Sequence, residues 1–532
     1  MGIPSYFSYI VKNHSNIIKK LCSSTIQVNN LYLDCNSIIY DAVHNIDFST
    51  LKESEADVII KAVCCKIDEY IFLLKPDNTV YIAFDGVAPV AKLEQQRSRR
   101  YKSLYQNGIM RSIFKNINTD PWNTTAITPG TIFMKKLNEK IYKKYINPEQ
   151  YNVKNIITSG SDFIGEGEHK LFDYIRKFPQ QHVAKNTVIY GLDADLIMLS
   201  INHLPITNNI FLFRETPHFI KSINSELEPY ENYVLDIPEL AKIITLDMNN
   251  GEKLESEQQK NRIYDYIFLC FFLGNDFMPH FPSVNIRTGG VDKMLNAYKA
   301  TIGGTNENLT DGKIIYWKNV RKLVQFLADN EEEFFKNETK LRDRRSKHSV
   351  NDETPEDKFK HFDSIPTYER ALEKYINPFN SNWQVRYYKT LFNVDIDETR
   401  KKQICTNYLE GLEWTMKYYT SGCPNWRWCY NHNYPPLFSD LIHYIPYFET
   451  EFVQNIKPNP VSELVQLCYV LPKQSLQFLP EKLYNNLLKN HFDWYNTDCT
   501  FVWAYCRYFW ESHVNLPHID IDELEKFVNE NK

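Results

Sequence analysis

The chain reads as an α/β protein: a largely parallel sheet flanked by helices, with a second, mostly helical region packed against it. Three observations predict this. Short runs rich in Val, Ile, Leu and Tyr alternate with longer helix-like segments through roughly the first 330 residues. The short runs are apolar almost throughout, as strands buried on both faces are. Beyond about residue 330 the alternation gives way to a charged stretch and then to aromatic-rich, mostly helical texture.

Taken in order, LYLD (31–34), TVYIAFD (79–85), NIITS (155–159) and NTVIYGLD (186–193) read as strands. ADVIIKAVCCKIDEYIFLL (56–74), APVAKLEQQRSRRYKS (88–103) and GEHKLFDYIRKF (167–178) read as helices. VIYGLDADLIML (188–199) reads as a buried strand on both sides of Asp193 and Asp195. The charged stretch 329–364 is expected to begin as a helix and end as a mobile linker. That divides the chain into a first region, 1–328, a charged linker, 329–364, and a second region, 365–532. No internal repeat is visible.

Composition narrows the function. A net charge of −5 excludes a generally basic nucleic-acid coat, so any nucleic acid must be held by a local basic patch. The longest strongly apolar run, YIFLCFFL (266–273), is far shorter than the ~20 residues of a membrane span. The N-terminus lacks the basic start and apolar core of a secretory signal, and Tyr6 stands where a myristoylation signal wants Ser or Thr. The 11 cysteines include no CxxC pair. Cys423, Cys429 and His432 lie close in sequence and could touch a metal, but reduced structural thiols are the better reading.

Acids gather where sites form. Asp34 and Asp85 close the first two strands, and Asp193 and Asp195 lie at the end of a later one. In open α/β sheets, ligands bind outside the carboxyl ends of the strands. Glu166 and Glu168 come from GEGEHK, just before a helix, and Asp276 follows the apolar helix IYDYIFLCFFLGND. Each acid alone is ordinary, since an Asp after a strand is usually a cap or turn residue. Together they are not. On an extended chain Asp193 and Asp195 would point to one side, and two such charges ~4 Å apart repel by about 4 kcal/mol at an effective dielectric of about 20. Seven converging carboxylates need a compensating cation, and two Mg²⁺ or Mn²⁺ ions suit an all-carboxylate site and the hydrolysis of a phosphodiester. The Asn36 and Asn275 amides are placed to orient ligands or water.

A basic helix adjoins the acids. Lys92, Gln96, Arg99 and Arg100 fall on one face at helical spacing, directly after Asp85. By itself such a face is usually a solvated surface. Beside Asp85 it suits a terminal phosphate, held so that the first phosphodiester reaches the acids.

MGIPSYF, LYLDCNSIIY, FDGVAPVAKLEQQRSRR, ITPGTIFM, GEGEHK, YGLDADLIML and GNDFMPH occur in this order, and together they resemble the XRN family of 5′→3′ exoribonucleases. EGLEWTMKYYTSGCPNWRWCYNHNYPP (410–436) and LVQLCYVLPKQSLQFLP extend the likeness into the second region. The resemblance implies a PIN/FEN-like nuclease core and a processive, metal-dependent hydrolysis of single-stranded RNA bearing a 5′-monophosphate, with release of mononucleotides during RNA decay. By motif, Asp34, Asp85, Glu166, Glu168, Asp193, Asp195 and Asp276 would hold the metals. Lys92, Gln96, Arg99 and Arg100 would form the 5′-phosphate pocket. Tyr40 stands where the family often has His; it would stack on the first base, with Trp428 or Trp426 on the other side. The second region would wall the active site and close one end. The chain looks like a minimal catalytic core, expected to act as a monomer in the cytoplasm, with a nuclear location left open. A flap-type DNA nuclease, a catalytically silent RNA binder and a purely structural α/β protein are the competing readings.

Overall fold

A computed structural model of the chain describes residues 3, 5–21, 26–50, 52–114, 122–348, 351–454, 459–496 and 498–532. Seven strands form the main sheet: β1 (Ile18–Lys20), β2 (Asn30–Asp34), β3 (Thr79–Ala83), β4 (Asn155–Ser159), β5 (Thr187–Tyr190), β6 (Ile210–Glu215) and β7 (Asn232–Asp236). Their order is β1-β7-β6-β5-β2-β3-β4. β4, β3, β2, β5 and β6 run parallel, while β7 and β1 add an antiparallel edge. The expected largely parallel sheet flanked by helices is therefore observed, with the four expected strands as β2 to β5.

Side chains alternate between two cores, as the strand period requires. Leu31, Leu33, Val80, Ile82 and Val188 face one core, filled by helices Asn36–Asn45, Glu55–Leu74 and Ile132–Lys144. Tyr32, Tyr81, Ala83 and Ile189 face the other, with helices Gly167–Lys177, Asp195–His203, Ile237–Met248 and Ser256–Phe271. Both faces are covered, which explains why these strands carry no alternating polar pattern.

The run around Asp193 and Asp195 differs from the expected strand. β5 ends at Tyr190, and Asp195 opens the Asp195–His203 helix, every residue of which is buried. Apolar residues on all sides of a buried helix erase its period, so it reads like a strand. The two aspartates thus meet across a turn rather than along an extended chain.

The charged stretch begins as a helix, as expected, but its later part also holds a helix. One helix, Trp317–Arg345, crosses the boundary at 328, and a second, Pro355–Asp363, is capped by the Thr354 side chain. Trp317, Val320, Leu323, Val324 and Leu327 form the buried seam of the long helix. Further along, Glu331, Glu338 and Arg342 take over the same buried positions, so the apolar period fades while the helix continues. Two of these charges, Glu331 and Arg342, have partners. Glu331 accepts the N–H groups of Phe438 (2.7 Å) and Ser439 (3.0 Å). Arg342 donates to both carboxylate oxygens of Glu373, at 2.8 and 2.7 Å.

The second region shares a core with the first. Tyr408, Leu412, Trp414, Tyr418 and Tyr419 of the Glu398–Thr420 helix pack in the same cluster as the sheet face that carries Tyr32. A separate cluster joins Leu93 to helices Glu463–Val470, Glu481–Asn490 and Ile521–Asn531.

Breaking a buried pair by removing one partner costs about 3–5 kcal/mol. Arg342→Ala is expected to lower stability by about that much in equilibrium denaturant unfolding. A loss below about 1 kcal/mol would show that Arg370, whose Nε donates to Glu373 Oε2 at 2.5 Å, satisfies Glu373 alone.

Candidate active site

The carboxyl ends of β2, β3 and β5 bring the acids together. Asp34 ends β2 on the parity of Tyr32, so it faces the Gly167–Lys177 helix. Asp85 lies two residues beyond β3 and is clamped by Asn36, whose Nδ2 donates to its Oδ2 (2.5 Å) and whose Oδ1 accepts its N–H (3.1 Å). The Gly167 N–H donates to Asp85 Oδ1 at 2.6 Å. A Cβ at Gly167 would lie 2.6 Å from Asp34 Oδ1, so only glycine lets the helix start approach both carboxylates. Asp276 sits in a turn after the Ser256–Phe271 helix that needs the positive φ (+84°) of Gly274. Asn275 serves that turn, accepting the N–H groups of Phe277 and Met278 at 2.9 Å, rather than reaching the acids.

All seven predicted acids interact. Burial, followed by Asp85 and Asp193, pushes the Asp34 carboxyl up. Burial raises Glu168 too, with Asp195, Glu166 and Asp34 adding to it and Lys92 opposing. Burial and Asp276 raise Asp195 to about 7. One cation already stands among them: Lys92 Nζ lies 2.6 Å from Glu166 Oε2 and 2.7 Å from Asp276 Oδ2. Against the effect of burial, it holds Asp276 well below the usual carboxylate range.

The expected phosphate-binding face is divided. Lys92 points into the acids. Arg99 lines a cleft of about 900 Å³ together with Asp276, Arg287, Trp510 and His518. Arg100 Nη2 donates to Thr128 Oγ1 at 2.7 Å, while its buried Nη1 has no hydrogen-bond partner among the described residues. Gln96 is half-buried on the same helix. Tyr40 is half-buried and raises the Arg100 pKa against the dominant effect of burial, so the two lie close. Trp428 stacks on Trp414 (5.1 Å between rings), and the Trp426 carbonyl accepts the Val90 N–H at 3.0 Å. Cys423, Cys429 and His432 are not gathered as ligands: among the described residues, only Glu166, Glu168 and His169 present a group of three ligand atoms of this kind.

Sequence reasoning missed the residues that hold the acids. Tyr418 OH donates to Glu166 Oε1 (2.8 Å), and Tyr419 OH donates to Asp195 Oδ1 (3.0 Å). These consecutive tyrosines come from the second region, and only their apolar context was visible in EWTMKYYTSG. His169 stacks on Tyr418 with 3.7 Å between ring centres. Burial, then Arg176 and Lys92, keep its imidazole neutral far below its ordinary pKa.

This donor set fits a hard divalent cation. It is rich in buried carboxylate oxygens, and Asp34 Oδ1 and Glu168 Oε2 lack any hydrogen-bond partner among the described residues. Among the described residues, no helix is long and apolar enough to cross a membrane.

Two outcomes follow. A carboxyl raised to about 7 in the fold, against about 3.9 unfolded, carries no penalty below about pH 4 and a growing one up to about pH 7. Asp195→Asn removes it, so the melting temperature of the metal-free chain should rise at pH 8 and by clearly less at pH 5; a loss at pH 8 would contradict the burial argument. Tyr418→Phe and Tyr419→Phe keep the rings but free a carboxylate oxygen. Each should weaken Mn²⁺ binding roughly tenfold in a direct titration, with a stability change near 1 kcal/mol.

Comparison with known proteins shows what the chain is similar to. The family described as XRN 5′-3′ exonuclease N-terminus matches residues 1–216, and the Xrn1 helical domain matches 257–374 and 367–531. The chain is 26% identical to 5′-3′ exoribonuclease 2 of Gallus gallus over 670 residues, spanning 100% of this chain and 70% of that protein. It is 28% identical to 5′-3′ exoribonuclease 1 of Saccharomyces cerevisiae over 616 residues, spanning 90% of this chain and 40% of the yeast protein. Among solved structures, the catalytic core of Rad2 in complex with DNA matches at 13% identity and a TM-score of 0.32, over 69% of this chain and 84% of that one, a likeness too slight to bear on the site. The matched segments contain all seven acids and the tyrosines that orient them, and this chain belongs to the XRN family of 5′-3′ exonucleases.

Proposed function

We propose that the chain removes nucleotides one at a time from the 5′-monophosphate end of single-stranded RNA, using two Mg²⁺ or Mn²⁺ ions. The observation that carries this reading is a carboxylate cluster in which Glu166, Glu168 and Asp195 are buried and Asp34 Oδ1 and Glu168 Oε2 have no hydrogen-bond partner among the described residues, beside a helix whose half-buried Arg100 keeps a buried Nη1 that also lacks one. A carboxylate cluster asks for a cation, and a buried guanidinium nitrogen without a partner asks for an anion.

Asp34, Asp85, Glu166, Glu168, Asp193, Asp195 and Asp276 would hold the ions, with Asn36, Tyr418 and Tyr419 fixing their orientation. When bound, such ions supply a hydroxide at neutral pH and stabilise the charge on the attacking and leaving oxygens. Arg99, Arg100 and Gln96 would receive the terminal phosphate. Lys92, between Glu166 and Asp276, would bridge the acids and the phosphate side of the same helix. Tyr40, close to Arg100, would offer its ring to the first base, with Trp428 or Trp426 opposite. Holding the terminal phosphate at a fixed distance from the acids sets the cut one nucleotide in, which is exonuclease behaviour.

The test is a Mg²⁺ time course on three end-labelled RNAs differing only in a 5′-monophosphate, hydroxyl or triphosphate end. Rapid loss of the monophosphate RNA alone, as mononucleotides and blocked by EDTA, is the expected result. Internal cuts regardless of the end, or a preference for branched DNA, would overturn it. Asp193→Ala should abolish hydrolysis without unfolding the chain. Arg99→Glu or Arg100→Glu should erase the preference for the monophosphate end; a preference that persists would remove these residues from phosphate binding.

A further inference from the structure

His169 has no part in the mechanism above, yet it sits inside the acid cluster. It directly follows Glu168 in the first turn of the Gly167–Lys177 helix and is only 7% exposed. One of its ring nitrogens and one carboxylate oxygen each from Glu166 and Glu168 all lie within 4.8 Å of one another. Its Nδ1 is buried without a hydrogen-bond partner among the described residues, and so is Glu168 Oε2. A buried imidazole nitrogen and a buried carboxylate oxygen left unpaired each carry a cost that a shared cation removes.

We propose that His169 is a nitrogen ligand to one of the divalent ions, completing a site with Glu166 and Glu168. The inference rests on the divalent-ion reading of the proposed function. The ring geometry allows it. His169 uses its face to stack on Tyr418, 3.7 Å away at 19°, whereas a ring nitrogen offers its lone pair in the ring plane. Tyr418 therefore steadies two ligands at once, His169 by stacking and Glu166 Oε1 by its hydroxyl.

The consequence is selectivity. Carboxylates and water suit Mg²⁺, whereas imidazole favours transition-metal ions, following the order of their affinities for nitrogen. A site of two carboxylates and one imidazole holds Mn²⁺ more tightly than Mg²⁺ by a margin that an all-oxygen site lacks.

Pulsed electron paramagnetic resonance on the full chain loaded with Mn²⁺ tests this directly. The expected result is a ¹⁴N modulation from a coordinated imidazole that changes to a ¹⁵N pattern when only histidine is ¹⁵N-labelled, and that vanishes in His169→Gln. Mn²⁺ affinity of that variant should fall roughly tenfold, with a smaller loss for Mg²⁺. Bound Mn²⁺ without a histidine coupling, or a coupling that survives His169→Gln, overturns this inference and leaves the proposed function standing. Failure of the chain to bind Mn²⁺ at all overturns both. Should His169→Gln not fold, the isotope comparison in the unaltered chain still decides, with His169→Asn as the second variant.

Discussion

Seven carboxylates share one edge of a parallel sheet, and their mutual repulsion sets the terms for what surrounds them. Burial strengthens that repulsion because little water remains to screen it. The chain answers in three ways. Lys92 places an ammonium between Glu166 and Asp276. Asn36, the Gly167 N–H and two tyrosine hydroxyls donate to individual oxygens. Burial, with the remaining repulsion, shifts Asp34, Glu166, Glu168 and Asp195 upward and so favours their protonated forms. A divalent ion could replace those protons, which links metal affinity to the same burial that raises the carboxyls.

The second region is built into this arrangement. Its Glu398–Thr420 helix fills the core beneath the sheet and delivers Tyr418 and Tyr419 to Glu166 and Asp195. Contact runs through the Trp317–Arg345 helix as well, whose buried Glu331 and Arg342 fasten it to Phe438, Ser439 and Glu373. A nuclease core without the second region would keep its acids but lose the groups that aim two of them.

Much of this was legible in the residues. β2 to β5 announced themselves as apolar runs, and the acids could be named because strand ends and glycine turns mark where a sheet gathers ligands. What escaped had physical reasons. The Asp195–His203 helix is buried all round, so it lost its period. The long helix buries paired charges at 331 and 342 where apolar residues would continue its seam, and such charges look solvated until their partners are known. β1 is a three-residue edge strand and β7 sits between it and β6, and the pairing of both depends on distant chain. Tyr418, Tyr419 and His169 look like ordinary aromatic core residues, because nothing local marks a hydroxyl or ring nitrogen that meets an acid far away in sequence. Helical spacing puts Lys92 on the phosphate face but does not show how far it reaches, and it reaches Glu166 and Asp276.

The account turns on carboxyls that hold protons until a cation displaces them. Calorimetric titration of the metal-free chain with Mn²⁺ at pH 7, in two buffers of different ionisation enthalpy, measures this directly. Saturable binding with net release of protons from the chain is predicted, and the release should shrink in Asp195→Asn. Binding without proton release would contradict the claim that repulsion among buried acids is what the metal relieves; no binding at all would contradict the metal site itself.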